Sequence, residues 1–287
     1  MAFVYGAKPD PKDERDLLYK AARRRAAVIP DHIDLRPNAP PVRDQGNIGS
    51  CVPHGTTAVH KYLQIAGSPI DPPQPEPVKP PCFGIPTKLW RGAKKRFGVS
   101  PFTDLSPLFL YYEGRKYEGS FPADAGMFPR DAFKIMAKGD SGIGCAREED
   151  WQYDTARFNE EPPQAAYDHA ADYRFGKYWR LNDLDEELDA LAAKLAITIG
   201  FAVYDSFEQQ QNMTTGRMPM PKKTESIRGY HLVSGFGYHK DPTWEGGGYL
   251  IIQNSWSVRV HDNGYFYMPF AYVIEKGFVT DLWTGTL

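Results

Sequence analysis

Gln45-Gly46-Asn47-Ile48-Gly49-Ser50-Cys51 is the stretch on which the reading of this chain turns. It closes a run rich in Pro, Gly and Asn (33–50, IDLRPNAPPVRDQGNIGS), which predicts an extended, looped segment. A helix should start directly after it. Ser50 is a good N-cap, and Pro53 is tolerated in a first turn, where its missing N–H would be unpaired anyway. Val52, Val59, Leu63 and Ala66 fall on one helical face, and Pro69 is expected to end the helix. This puts a thiol in the first turn, where the helix carries about half a positive charge and favours thiolate over thiol. A thiol of pKa about 8.5 falls further beside an imidazolium. The Cys51 amide is also a candidate donor to an oxyanion. On position alone, a buried inert cysteine is an equally good reading.

What lies downstream breaks the tie. Histidines occur at 32, 54, 60, 169, 231, 239 and 261. His231 opens an apolar strand (231–239, HLVSGFGYH), and Asn254 closes the next one (248–255, GYLIIQNS), followed by Ser255-Trp256. Antiparallel neighbours of this kind bring His231 and Asn254 side by side. An Asn carbonyl there holds an imidazole toward a nucleophile, and Trp256 is placed to shield that bond from water. His231 taken alone is more simply a satisfied strand-end histidine. A metal site at Cys51, His54 and His60 is the poorer alternative, because only His54 sits one turn from Cys51 and no fourth ligand is evident.

The blocks QGNIGSC (45–51), GYHLVSGFGY (229–238), IIQNSW (251–256) and NGYF (263–266) resemble the papain-like cysteine peptidases, in that family's order of Cys, His and Asn. LSPLFLYY (105–112) and DAGMFPRDAFKIM (124–136) are similar to its middle region, and VYDSF (203–207) and YFYMP (265–269) to its bacterial and viral members. The likeness runs from about residue 33 to 283. It implies a peptidase with Cys51 as nucleophile, His231 as acid and base, Asn254 as the residue orienting His231, and Gln45 as a side-chain donor to the oxyanion. It also implies that Gly126 lies where the family's backbone pairs with an extended substrate. The resemblance has departures. His231 follows Cys51 by 180 residues, against about 130–150 for the pattern. Ile48 stands where many relatives have a cysteine, Val52 and Val260 where tryptophans are usual, and Ser257 where glycine is usual. These changes thin the aromatic shield and suggest modest activity. An inactive fold used as a binding module and an amide acyl transferase built on the same dyad remain the alternatives.

Composition agrees with an enzyme of this kind. The 287 residues are 41% hydrophobic and 24% charged, an ordinary globular balance. A net charge of −2 gives no sign of a nucleic-acid partner, and the basic run Arg23–Arg25 reads as a solvated face. The most apolar stretch, 195–204, is ten residues, half of the roughly 20 a membrane helix needs. The N-terminus does not read as a secretory signal. Three cysteines (51, 82 and 145) are too few for a disulfide scaffold and leave a free thiol plausible. The resemblance implies a protein or peptide substrate and no cofactor; no metal, no nucleic acid and no membrane is expected as a partner, and the chain is expected to be a monomer.

Helices expected first (106–116, 129–138, 184–194) and strands second (196–204, 231–239, 248–255, 263–269) predict an α+β fold of two unlike lobes with a cleft between them. The division expected is an N-terminal extension (1–32), with a short helical patch at 17–28, and a peptidase domain (33–287). That domain comprises a helical lobe (51–160, interrupted by a Pro-rich insertion at 69–86) and a β-rich lobe (161–283 plus 33–50). The extension resembles the short leader of bacterial and viral members. The resemblance implies a plug that restricts access to Cys51 until it moves or is removed.

Overall fold

Apolar runs and turn residues partition the chain into eight helices and seven strands in the computed structural model, which describes residues 3–22, 29–67, 103–139 and 142–287. In chain order these are α1 (Tyr19–Ala22), β1 (His32–Asp34), α2 (Cys51–Ala66), α3 (Pro107–Tyr117), α4 (Pro129–Met136), α5 (Gln164–Ala170), β2 (Lys177–Arg180), α6 (Leu184–Ala192), β3 (Ile197–Tyr204), α7 (Gln210–Thr215), β4 (Ile227–Lys240), β5 (Gly248–Gln253), β6 (Tyr265–Pro269), α8 (Phe270–Ile274) and β7 (Val279–Thr286). The Pro-rich insertion, Cys82 and the Arg23–Arg25 run lie outside the described residues.

The helix expected after Ser50 is α2, and it is the centre of the molecule. Cys51, Val52, Val59, Tyr62 and Leu63 are buried, and so are His54, Thr56 and His60, so the helix is wrapped on almost every side. Its Ser50 cap makes no side-chain bond to the first turn, and the helix ends at Ala66 with Gly67 at φ 71°, before Pro69 is reached. Gly67 stops it because glycine takes a positive φ without a Cβ clash. The helix packs on β4 closely enough that a Cβ on Gly55 would meet Leu232 Cδ2 at 2.4 Å, and Ser234 Oγ donates to the Gly55 carbonyl at 3.1 Å. With α3 and α4 it forms the helical lobe.

The seven strands make one antiparallel sheet in the order β2-β7-β3-β4-β5-β6, with β1 added to β4. β3 is buried over seven of its eight residues, as its unbroken apolar run requires of a strand covered on both faces. Phe201 on β3 stands opposite His231 on β4. Gln253 at the end of β5 stands opposite Ser234 and Tyr265. Asn254 therefore follows directly on a strand end fixed from both sides. The α+β architecture of two unlike lobes is the one the element order predicts. Six elements are absent from that expectation: β1, α5, β2, α7, α8 and β7. All but β7 are short (KYWR in β2), and β7, though largely buried, is mixed in polarity, so they carry little periodic signal. At the start of α6, Asp183 and Glu186 have the spacing of a capping box, which is half made. Asp183 accepts from the Glu186 amide at 2.9 Å, but the Glu186 carboxylate turns back to the backbone and side chain of Asn182.

Candidate active site

Cys51 opens α2, fully buried, and backbone amides of Leu232 and Gly6 lie within hydrogen-bonding reach of its sulfur. Leu232 is the neighbour of His231, so the first turn of α2 and the middle of β4 meet at the thiol. His231 is also fully buried. Its Nε2 lies 2.8 Å from Asn254 Oδ1, which accepts only. Asn254 Nδ2 donates in turn to His261 Nε2 at 3.0 Å, and His261 Nδ1 donates to the Asn212 carbonyl at 3.1 Å. Each donor in this chain faces one acceptor, which sets the tautomer of both histidines. For His231, the neutral ring keeps its proton on Nε2 and its lone pair on Nδ1, and Nδ1 is buried without a hydrogen-bond partner among the described residues. The Trp256 ring covers His231 at a centroid distance of 4.8 Å.

The electrostatics of this buried state are those of a neutral pair. Burial pushes the Cys51 thiol up to about 11, with the amides of Leu232 and Gly6 opposing it, and burial pushes His231 down to about 4 against its bond to Asn254. The thiolate expected at a helix N-terminus is thus not the form favoured while the site is closed. Desolvation outweighs the helix dipole, which is worth about 0.3–1 kcal/mol.

Gln45 is fixed by Ser255, whose hydroxyl donates to Oε1 at 2.7 Å, so its Nε2 points the other way. That Nε2 donates to the Ile48 carbonyl and to the Val4 carbonyl, both at 3.1 Å. Val4 belongs to the N-terminal extension, which runs through the cleft. Phe3 stacks on Trp256 at 4.0 Å, and the Tyr5 hydroxyl bonds to Glu208. The Ala7 amide donates to the Tyr230 carbonyl at 3.1 Å. Met127 N donates to Gly6 O at 2.8 Å and Met127 O accepts from Lys8 N at 3.0 Å. Residues 3–8 therefore lie as an extended strand across Cys51, parallel to the chain at Met127. Gly126 adjoins this strand without pairing to it. Its amide donates to the Tyr111 hydroxyl at 3.1 Å, and a Cβ on it would meet Gly6 O at 2.2 Å. Gly126, at φ +71°, leaves room for the strand, and the next residue, Met127, supplies both pairing groups.

Beyond Lys8 the extension is tied down by charge. Arg130 Nε and Nη2 reach both Asp16 oxygens at 2.7 and 2.8 Å, and Asp10 accepts from the Arg130 amide and from Trp283 Nε1 at 3.0 Å. Arg180 bridges Asp10 and Asp281. Asp10 and Asp281 are themselves in contact, and burial together with the Asp281 carboxylate raises the Asp10 carboxyl well above the usual carboxylate range.

The aromatic shield, thinned by Val52 and Val260, is filled by Phe207, whose ring lies 5.6 Å from that of Trp256, and by Phe3. Ser257 has φ +72° where glycine would be unstrained. Sequence reading missed His261, Tyr230 and Met127. His261 sits in no pattern that distinguishes it, and the other two contribute backbone atoms, which any side chain would supply.

A family model described as papain family cysteine protease matches residues 120–277, a little over half of the chain, including His231 and Asn254. A peptidase C1-like protein of Acanthamoeba polyphaga mimivirus is 28% identical over 300 residues, covering 96% of this chain and 84% of its own. Among solved structures, xylellain, a cysteine protease from Xylella fastidiosa, is 28% identical with a TM-score of 0.77, over 98% of this chain and 95% of that one. Procathepsin B from Trypanosoma congolense shares the fold at 15% identity, with a TM-score of 0.65 over 99% and 86% of the two chains. The chain belongs to the papain family of cysteine proteases.

Proposed function

We propose that Cys51 is the nucleophile of this peptidase and that residues 3–10 hold it closed. Once the cleft is open to water, the Cys51 proton passes to His231 Nδ1, and the sulfur adds to the substrate carbonyl. The oxyanion is held by the Gln45 amide and the Cys51 N–H. His231 then protonates the leaving amine, and water releases the thioester. Asn254 holds the ring in the tautomer that leaves Nδ1 free, with His261 fixing Asn254 behind it. The observation that carries this reading is the Val4 carbonyl, held by the Gln45 side chain in the strand that crosses Cys51. A backbone carbonyl of the chain itself stands where a substrate carbonyl would be polarised. The ties at Asp10 and Asp16 hold the extension over both walls of the cleft, which supports a division into extension, helical wall with Cys51, and β-rich wall with His231 and Asn254.

The test is selective alkylation. An epoxide-type thiol reagent should label Cys51 once the extension leaves the cleft and water reaches the sulfur, and should leave Cys145 unlabelled, because that thiol is buried in the core away from the extension, against the Ser106 carbonyl. Peptide mapping by mass spectrometry reads the sites, and equal labelling of Cys145 would count against an activated Cys51.

Closure should depend on pH through Asp10. Its carboxyl is raised in the seated segment, so the seated state holds a proton over a range where the released segment, with an ordinary carboxylate, has lost it. Seating is therefore strongest at the acid end of that range and weakens as pH rises through the raised value. The groups facing Asp10 are Asp281, Arg180, the Arg130 amide and Trp283 Nε1. Between about pH 5 and pH 8 the open fraction should rise by up to about tenfold per unit. An Asp10→Asn chain, whose amide keeps the neutral form at every pH, should lose that rise. The measurement is the ratio of Cys51 labelling rates in the two chains, which cancels the ionisation of the thiol itself. A ratio independent of pH would refute the coupling.

A further inference from the structure

The N-terminal segment reports what the cleft accepts, and its most specific side-chain contact is made by Lys8. The Lys8 ammonium lies 2.8 Å from Glu118 Oε2 and 5.2 Å from the centre of the Phe128 ring. The Glu118 side chain is only 3% exposed, and its other oxygen accepts from the Phe128 amide at 2.7 Å. Lys8 is the cation paired with it. Asp131, on the first turn of α4, adds like charge nearby, and Lys134 is paired to it at 3.8 Å. Departure of the segment leaves a carboxylate, backed by an aromatic face and tied to the Phe128 amide, without its cation. Such a group is unfavourable unless another cation takes the place.

We propose that Glu118 and Phe128 form a cation subsite of the cleft, which holds Lys8 in the closed chain and selects substrates with lysine or arginine at the matching position in the open one. The inference rests on the peptidase reading above and deepens it by naming a substrate class. The matching position follows from the backbone. Gly6 lies against the Cys51 sulfur, and Lys8, two residues on, gives its amide to Met127. The basic residue of a substrate therefore stands two or three residues from the scissile bond, on the side that faces Met127. Glu118 acts on binding of the substrate and has no part in the chemistry at the carbonyl. Its effect belongs in kcat/KM and in discrimination between side chains.

The test uses the full chain opened by Gly6→Val, which the close approach of Gly6 to Gly49 prevents from closing. Peptides carrying lysine or the uncharged isostere norleucine at each of three positions beside the scissile bond are compared. Lysine at one position should raise kcat/KM by about ten- to a hundredfold, and adding Glu118→Gln, whose side-chain oxygen still accepts from Phe128, should abolish that ratio. In the otherwise native chain, Lys8→Met should raise the Cys51 labelling rate several-fold. Equal hydrolysis of lysine and norleucine peptides, or a preference that survives Glu118→Gln, overturns the subsite and leaves the peptidase reading standing. An unchanged labelling rate in Lys8→Met overturns it as well. Failure of the opened chain to hydrolyse any peptide or to label at Cys51 overturns the peptidase reading, and the subsite falls with it.

Discussion

Replacing Cys51 with alanine should reduce peptide hydrolysis by at least about ten-thousandfold, to the background of the assay. The reason is chemical rather than structural. Without the sulfur there is no thioester, and the polarising groups that remain have no nucleophile to serve. His231→Ala should cost about as much, since the thiol, pushed up by burial, then has no base to take its proton. The members of such a unit are not additive, so the double variant should be no worse than either single one. Asn254→Ala should cost less, about ten- to a hundredfold, because the ring can still find the right tautomer part of the time. Gln45→Ala should fall between, near the hundred- to thousandfold of a lost oxyanion donor. All four are best measured in a chain with an open cleft, with a thermal melt to confirm that each remains folded. Full activity in Cys51→Ala would end the assignment of the nucleophile.

Opening the cleft is the second large effect. In the closed chain a Cβ on Gly6 would lie 1.9 Å from the Gly49 carbonyl oxygen and 2.3 Å from its carbon. From the other wall, Gly126 leaves no more room, since its own Cβ position is 2.2 Å from Gly6 O. Both obstacles are backbone, so neither can swing aside, and Gly6→Val must lift the segment off Cys51. Lost with it are the bonds of Val4 to Gln45, of Gly6 and Lys8 to Met127, and of Ala7 to Tyr230. At about 1 kcal/mol each, four hydrogen bonds correspond to roughly a hundred- to thousandfold change in the open fraction. The tether ordinarily multiplies these weak contacts by keeping the segment at high local concentration. Turnover of a fluorogenic peptide and the rate of Cys51 labelling should both rise by that order. Rates equal to those of the native chain would show that residues 3–8 do not restrict access.

How much of this was legible beforehand depends on the kind of signal each part leaves. The central helix was readable because Ser50, Pro53 and the spacing of Val52, Val59 and Leu63 are local features. Its end was not, because Gly67 offered a positive φ before the expected Pro69 was reached. β3, β4 and β5 were readable from unbroken or alternating apolar runs. β2 and β7 were not, since each is held by pairing to a neighbour distant in sequence, such as Trp179 opposite Thr284. Cys51, His231, Asn254 and Gln45 were legible as types in an order.

By itself, then, the sequence determined the α+β class, the thiol in the first turn of a buried helix, and the histidine and asparagine on consecutive strands. These follow from periodicity, caps and turn residues, which act over a few residues. Only the tertiary structure decided that Met127, rather than Gly126, gives the pairing backbone groups, because every residue carries the same N–H and C=O. It alone decided that His261 fixes Asn254, that Glu118 faces Lys8, and that the carbonyl of Val4 lies on Gln45. Those contacts join residues from 7 to 110 positions apart, and their geometry exists only after the lobes have packed. The state of charge was decided there too. Local sequence favours a thiolate at a helix N-terminus, but burial in the folded chain pushes the Cys51 thiol up and the His231 imidazole down, so both favour the neutral form.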